Sequence, residues 1–299
     1  MRGTVSRVLL GLVVIAVVAM ITYVLASPWI STWGATQEEA ARSLPGDGLV
    51  PEPAAQSTMV LTIDAPPEEV WGWLVQMGVD RAGFYTYLFV ENTLLRLGVV
   101  EADRIHSEWQ DIEVGDHFWY TTENYPGPRQ GPVVTDIAPE RALVLCLGEP
   151  IRDCPGTWQF VLDEQDDGST RLLLRSRDRN LSVGDQILGP GFWVMNRGML
   201  LGLEQKAEGE PSARSLAEWI SFACVIVAGL GLVAMLFSRR RWSQTLLVAS
   251  VGTCVTTLVF LVWYPSLAYA LLLALAVLGA LLWTYWPQRS HSAPGRRVA

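Results

Sequence analysis

The chain has 299 residues, 50% of them hydrophobic, with a mean hydropathy of +0.26 and a formal net charge of −8. That is too apolar for an ordinary soluble protein and too charged for a bare membrane bundle, so a mixed architecture is expected. The region 30–215 holds 29 of the 30 acidic residues and 14 of the 22 basic ones, net −15, which excludes nucleic-acid binding because phosphates would be repelled.

The chain opens on Val8–Ala26, a stretch without a charge. A helix needs about 20 apolar residues to cross a bilayer, and this one is long enough. Arg2 and Arg7 before it and Ala26-Ser27 after it also suit a signal peptide, whose apolar core usually runs about 7–15 residues. The segment is read as an uncleaved anchor over residues 1–29, and both readings export the region C-terminal to it. Residues 30–57 are rich in Ala, Pro, Gly and Glu, and Pro45-Gly46-Asp47-Gly48 and Pro51-Glu52-Pro53 read as turns in a linker.

Order is expected from Thr58. Met59–Ile63 has strand composition, and Pro66-Pro67-Glu68-Glu69 then suits a helix start, since proline fits the first turn and acids complement the positive helix end. That helix carries Val70, Trp71, Leu74 and Met77 on one side, and Gly78 ends it. Thr86–Leu97 reads as a second short helix closed by Gly98. Strands are expected at Asp116–Thr121, Gly131–Ile137, Ala142–Leu147, Thr157–Asp163 and Thr170–Arg177. Asp166-Asp167-Gly168-Ser169 is a hairpin signal. Leu188, Phe192, Met195, Met199 and Leu203 recur at helical spacing over Asp185–Ala207 and define one apolar face. Strand, two helices, a run of antiparallel strands and a long closing helix make an α+β pattern. A sheet wrapped on a long helix leaves a concavity, lined here by Trp71, Trp73, Phe84, Tyr85, Trp109, Phe118, Tyr120, Trp158 and Phe160, which either stays open for a ligand or is filled by the rings themselves.

Three further apolar stretches lie at 216–237, 243–263 and 267–286, leaving a tail at 287–299. With Val8–Ala26 they make four transmembrane helices. Trp219, Trp242, Trp263, Tyr264, Trp283, Tyr285 and Trp286 stand near their ends, where aromatic rings favour the headgroup zone. Arg2 and Arg7, Arg239–Arg241, and Arg289, Arg296 and Arg297 fall on one side of a four-span chain. The positive-inside rule makes that side cytoplasmic and the soluble domain extracytoplasmic in a multi-pass cell-membrane protein. Apart from Glu218 near one end, the spans hold no ionisable groups, so ion-coupled transport has no seat there and the bundle is read as an anchor or partner surface. Cys224 and Cys254 lie within spans as packing residues. Cys146 and Cys154 have a spacing that permits a disulfide outside the cytoplasm without requiring one.

Candidate site residues are few. His106 and Glu108 stand two apart beside Trp109, a pair suited to proton transfer or to anchoring a loop. Arg81, Tyr85 and Glu91 converge with them if the short helices cap the cavity mouth; Arg81 then grips a carboxylate or phosphate, or else braces Glu91 as an ion pair. Arg171, Arg175, Arg177 and Arg179 share one strand face, either lining an anion site or forming a solvated face paired with the domain's acids. The three histidines are scattered and no Cys-x-x-Cys occurs, so neither a zinc site nor any other cofactor is expected.

Three elements resemble the START-like, or SRPBCC, superfamily of polyketide cyclases, Bet v 1-type proteins and lipid-transfer domains. They are Ile63-Asp64-Ala65-Pro66-Pro67-Glu68-Glu69-Val70-Trp71-Gly72-Trp73-Leu74, the entry Val114-Gly115-Asp116 with the meander Val133–Leu145, and the closing stretch Phe192–Glu208. Gln76–Tyr87 with Arg104-Ile105-His106 looks like a bacterial subgroup. The resemblance covers 58–208 and implies a helix-grip fold, an antiparallel sheet wrapped on a long C-terminal helix. The superfamily hosts carriers and enzymes alike. The expected function is binding of a hydrophobic or amphipathic small molecule, a lipid or polyketide-like compound, through Arg81, Tyr85, Glu91, His106 and Trp109. The alternatives are a cyclase- or hydrolase-type enzyme using His106 with a nearby Glu, and an interaction module with a filled core.

Overall fold

The computed structural model describes residues 2–87, 91–92, 96, 98–124, 127–148, 153–209, 213–238, 242–259 and 267–286, without the side chains of 2–3, 185–188, 213–219 and 267. The chain divides into two units, one of residues 1–26 with 212–299 and one of residues 27–211. The expected helix Thr86–Leu97 lies largely outside the described residues; the basic cluster 239–241, the turn 264–266 and the tail 287–299 lie wholly outside them.

In the second unit a five-stranded antiparallel sheet has the order β1-β5-β4-β3-β2. Its strands are β1 (Ala55–Ile63), β2 (Val133–Ala138), β3 (Ala142–Cys146), β4 (Gly156–Glu164) and β5 (Thr170–Asp178). The helices are the last turn of α1 (Arg2–Ile30), α2 (Gln37–Ala41), α3 (Pro67–Val75) and α4 (Val183–Ala207). Proline stands at the first turn of α3 with Glu68 and Glu69 behind it, as its start signal requires, and Val70, Leu74 and Met77 are buried. The expected strand Asp116–Thr121 is reduced to a bridge, His117 to Val133. Phe118 N donates to Pro132 O, and Pro132 has no N–H to return the bond.

Register assigns the two faces of the sheet. Leu172 and Leu174 share one with Phe160, Leu162, Met59 and Ile63; Leu173 and Arg175 share the other with Val60, Val161, Gln159 and Thr58. The first face belongs to the helix side, where Met199, Leu200 and Leu203 of α4 are buried. The second was expected to be open to solvent, with residues 30–57 a loose linker. Instead those residues cover it. Leu44 enters a core cluster with Val60, Ala142, Val161 and Leu173, and a Cβ on Gly46 would meet Val144 Cγ1 at 2.5 Å. Thr58 N and Val60 N donate to Ser31 O and Trp33 O.

The arginine face of β5 holds this strap. Arg175 is 1% exposed, and its guanidinium donates to Thr58 Oγ1, Glu39 O, Ala40 O, Arg42 O and Asp47 Oδ2 at 2.8–3.0 Å. Three of those acceptors are carbonyls at the C-terminal end of α2, groups that a helix leaves unsatisfied. Arg171 forms a two-bond pair with Glu39 at 2.8 and 3.0 Å, and Arg177 donates to Asp47 O and Val50 O. Of the two readings of this arginine run, pairing with acids is the one realised, and the acids of the strap, Glu39 and Asp47, are among its partners.

Glu39 also closes a capping box on Thr36. The hydrogen bond from Arg171 holds its carboxyl down at about 2 against an ordinary 4.5. A depressed carboxylate contributes stability above its unfolded value and loses it as pH falls through its folded value. Stability of the wild-type domain is therefore expected to fall between about pH 4.5 and 2. Thermal midpoints measured across that window should decline less steeply in Glu39→Gln, whose amide does not titrate there.

The first unit contains most of α1 with α5 (Ala213–Met235), α6 (Trp242–Leu258) and α7 (Leu267–Tyr285). Ala228, Leu232, Met235, Val259, Leu273 and Val277 form its core. Glycines let the helices approach: a Cβ on Gly252 would meet Leu232 at 2.5 Å, and one on Gly231 would meet Val277 at 2.8 Å. Four spans were expected. Among the described residues two helices are long and apolar enough to cross a membrane, Thr4–Ile30 and Ala268–Tyr285. Within α5, Ile220–Met235 is a further apolar helical stretch of the described residues. α6 has 17 residues, several of them Ser, Thr or Gln.

Cys146 and Cys154 form a disulfide that ties the end of β3 to the approach to β4. Cys224 and Cys254 are free.

Candidate ligand-binding cleft

The site residues expected from sequence separate into three places. Tyr85, at φ 56°, is a buried structural pin. Its hydroxyl donates to Trp73 O at 2.9 Å and accepts from Gln76 Nε2 at 3.2 Å, and burial pushes the phenol above its ordinary 10. A Cβ on Gly202 of α4 would meet Tyr85 O at 2.0 Å, so only glycine admits this approach. Glu91 is buried and accepts from Thr86 Oγ1; burial raises its carboxyl, opposed by that hydrogen bond and helped by the charge of Glu101.

His106 and Trp109 form the second place, a surface loop. The His106 ring stacks on Trp109 at 4.1 Å, and Nδ1 lies 3.0 Å from Glu108 Oε1. The loop is tied to α3 by two amides. Gln110 Nε2 donates to Gly72 O and His106 O, and Gln76 Oε1 accepts from His106 N at 3.0 Å. Gln76 is fully buried and links Tyr85 to this loop. Sequence reasoning gave it no role, since one glutamine at a helix end carries no periodic signal.

The expected aromatic lining packs ring against ring. Phe84 meets Tyr120 at 5.7 Å, Tyr120 meets Trp158 at 5.9 Å, and Trp158 meets Phe160 at 6.3 Å. Phe118 and Phe160 are fully buried.

The third place is a cleft of about 300 Å³ that holds Arg81. One wall is the loop 78–83, closed by two hydrogen bonds between Gly78 and Gly83 at 2.9 Å, with Asp80 and Arg81 in it. The other wall runs from Gly115 through Asp116 and His117 to Trp119, and Val79 N donating to Trp119 O stitches the two together. His117 and Trp119 stack at 4.2 Å, 7° from parallel. The Arg129 guanidinium lies 4.3 Å over Trp119 and pairs with Asp80. Asp116 is held by Glu113 N at 3.0 Å. Arg81 donates to Val75 O at 3.4 Å and forms no ion pair among the described residues. The charge of Asp80 is thus matched by Arg129, and Arg81 lines the cleft together with Asp116, His117 and Trp119.

Sequence reasoning placed Arg81 among the site residues but left out Asp80, Asp116, His117 and Trp119. The signals present were Asp80-Arg81 in the stretch after α3 and the Gly115-Asp116 entry. Both walls are loop segments, which carry no apolar period.

Comparison with known proteins places few constraints on this geometry. No family model matches the chain, and no curated protein does. Solved structures do. A conserved protein of unknown function from Enterococcus faecalis is 18% identical, with a TM-score of 0.31, covering 50% of this chain and 69% of that one. The Aha1 dimer from Colwellia psychrerythraea is 14% identical with a TM-score of 0.34, covering 52% of this chain and 99% of that one. A protein from Mesorhizobium loti is 20% identical with a TM-score of 0.31, covering 52% of this chain and 98% of that one.

Proposed function

We propose that this chain is a multi-pass membrane protein whose START-like (SRPBCC), helix-grip domain binds an amphipathic small molecule outside the cytoplasm. The observation that carries the reading is the cleft of about 300 Å³ lined by Arg81 and by the His117–Trp119 stack. Its volume stands at the low end for small-molecule sites, so it suits a head group rather than a whole lipid. A guanidinium takes a carboxylate or phosphate through two parallel hydrogen bonds, and flat rings accept the adjoining unsaturated or aliphatic portion. The apolar helices Thr4–Ile30 and Ala268–Tyr285 support membrane attachment. α5 and α6 complete the four-span reading, which keeps the three basic clusters on the cytoplasmic side. The Cys146–Cys154 disulfide suits an oxidising, extracytoplasmic compartment.

A cyclase- or hydrolase-type reading rests on the 3.0 Å contact between His106 and Glu108, which is the geometry of a proton-transfer pair. The packed aromatic row favours, in turn, an interaction module with a filled core.

The binding reading is tested by titrating the full chain in nanodiscs with a fluorescent fatty-acid analogue. Saturable uptake is expected, and Arg81→Ala should weaken it roughly 10- to 100-fold, the loss of a charged hydrogen bond worth about 1.5–3 kcal/mol. Equal uptake by Arg81→Ala would show that the cleft is not the binding site. Turnover of a substrate lost in His106→Ala, with binding intact, would favour the enzyme.

A further inference from the structure

Trp193 of α4 donates from its indole Nε1 to the backbone carbonyl of Ile30 at 2.8 Å. Ile30 is the last residue of α1 and of the apolar stretch Thr4–Ile30. No charge stands between Arg7 and Glu38. Those 27 residues measure about 40 Å at about 1.5 Å per residue, against a hydrocarbon thickness of about 30 Å. The excess brings the last turns of α1 into the headgroup zone, where Trp29 and Trp33 match the usual aromatic belt. A side chain hydrogen-bonded to Ile30 shares that depth.

Two further contacts fix α4 there. The Arg197 guanidinium, one turn beyond Trp193, lies 4.6 Å over the Trp33 ring and 5.5 Å over the Trp193 ring, and Arg197 is 7% exposed. The same end of α4 carries an apolar residue turned outward. Phe192 is 57% exposed, although the spacing Leu188–Phe192–Met195–Met199–Leu203 predicts it inside. Trp29, beside Ile30, is 50% exposed. The two uncovered rings therefore flank one hydrogen bond at the end of one apolar helix.

We infer that the α4 segment around Phe192 rests on the lipid bilayer that α1 crosses, with the Phe192 ring at the boundary of headgroups and acyl chains. The soluble domain then meets the membrane through its closing helix as well as through its anchor. An amphipathic aromatic surface with a buried cation behind it suits that boundary. The inference rests on the membrane-anchor part of the proposed function.

The test uses the full chain with Cys224→Ser and Cys254→Ser, reconstituted in phosphatidylcholine vesicles. Single nitroxide labels are placed at Phe192→Cys, at Val17→Cys within α1 and at Asp166→Cys in the charged β4–β5 hairpin. Their relaxation is measured with oxygen, which partitions into lipid, and with a water-soluble nickel chelate. The label at 192 is expected to favour oxygen, as the one at 17 does, while the label at 166 favours nickel. A 192 label that behaves like 166 while 17 stays lipid-like would overturn the inference and leave the anchor standing. Water-like behaviour at both 17 and 192 would overturn the anchor and the inference together.

Discussion

Replacing Arg175 by alanine is expected to destabilise the soluble domain by about 3–5 kcal/mol, the cost of breaking one partner out of a buried, hydrogen-bonded charge network. A guanidinium has five N–H donors, and Arg175 makes five hydrogen bonds, to the strap residues Glu39, Ala40, Arg42 and Asp47 and to Thr58. Alanine leaves those acceptors without their donor in a region that water reaches poorly. Asp47 keeps the Leu44 N–H at 3.0 Å, and its nearest remaining cation is Arg177 at 3.5 Å. The cost is local in origin, so the strap should detach first. Limited proteolysis of the full chain should cut within 36–50 in the variant and not in the wild type, and the urea midpoint should fall. Arg175→Lys should be intermediate, since an ammonium keeps the charge with three donors and cannot span the same acceptors. An unchanged midpoint in Arg175→Ala would mean that the strap contributes nothing to stability.

Opening the Cys146–Cys154 bond is the second large effect. The cysteines are 8 residues apart. Loop-closure entropy for so short a loop gives about 2.5 kcal/mol, somewhat under the roughly 3 kcal/mol of a 15-residue loop. Both sulfur-bearing residues are buried, at 0% and 1% exposure, so serine at these positions adds a desolvation cost. Cys146→Ser with Cys154→Ser is expected to lower the urea midpoint, and the wild type treated with reductant should approach the same value. If reduction leaves the midpoint where it was, the bridge is not formed in the folded protein.

Much of the fold was legible because it is written in local signals. The β1–α3 boundary comes from Asp64-Ala65-Pro66-Pro67-Glu68-Glu69, where proline and acids can do little but start a helix. Strands β2 to β5 were located to within a residue or two by their β-branched and aromatic runs, and the β4–β5 hairpin by Asp-Asp-Gly-Ser. There Gly168 takes φ 84° and Gln165 N donates to Ser169 O at 2.9 Å. The strap was not legible. Residues 31–50 have turn-like composition, and their order comes from arginines on β5 more than 120 positions away. Long-range pairing of that kind leaves no period in the segment itself. Phe192 was assigned inward for the opposite reason, since its spacing fits an apolar face while the buried face of α4 there runs through Trp193, Arg197 and Leu200.

The cleft was legible only through Arg81. Its other polar members, Asp80, Asp116 and His117, lie on loops, and two glycines shape it: Gly78 at φ 129° and Gly115 at φ 104°. Either position disfavours a side chain, so the glycines were a signal of unusual backbone that pointed to the walls but not to their meeting. Tyr85 and Glu91, expected as ligand contacts, have the internal partners Trp73, Gln76 and Thr86.

Whether the domain holds an amphipathic molecule through its cleft is tested most directly by native mass spectrometry of the full chain released from membranes. A bound species of small-molecule mass is expected on the wild type, carrying an acidic group and depleted in Arg81→Ala. A wild-type chain that emerges with no such species, and acquires none from added lipid extract, would contradict the binding function.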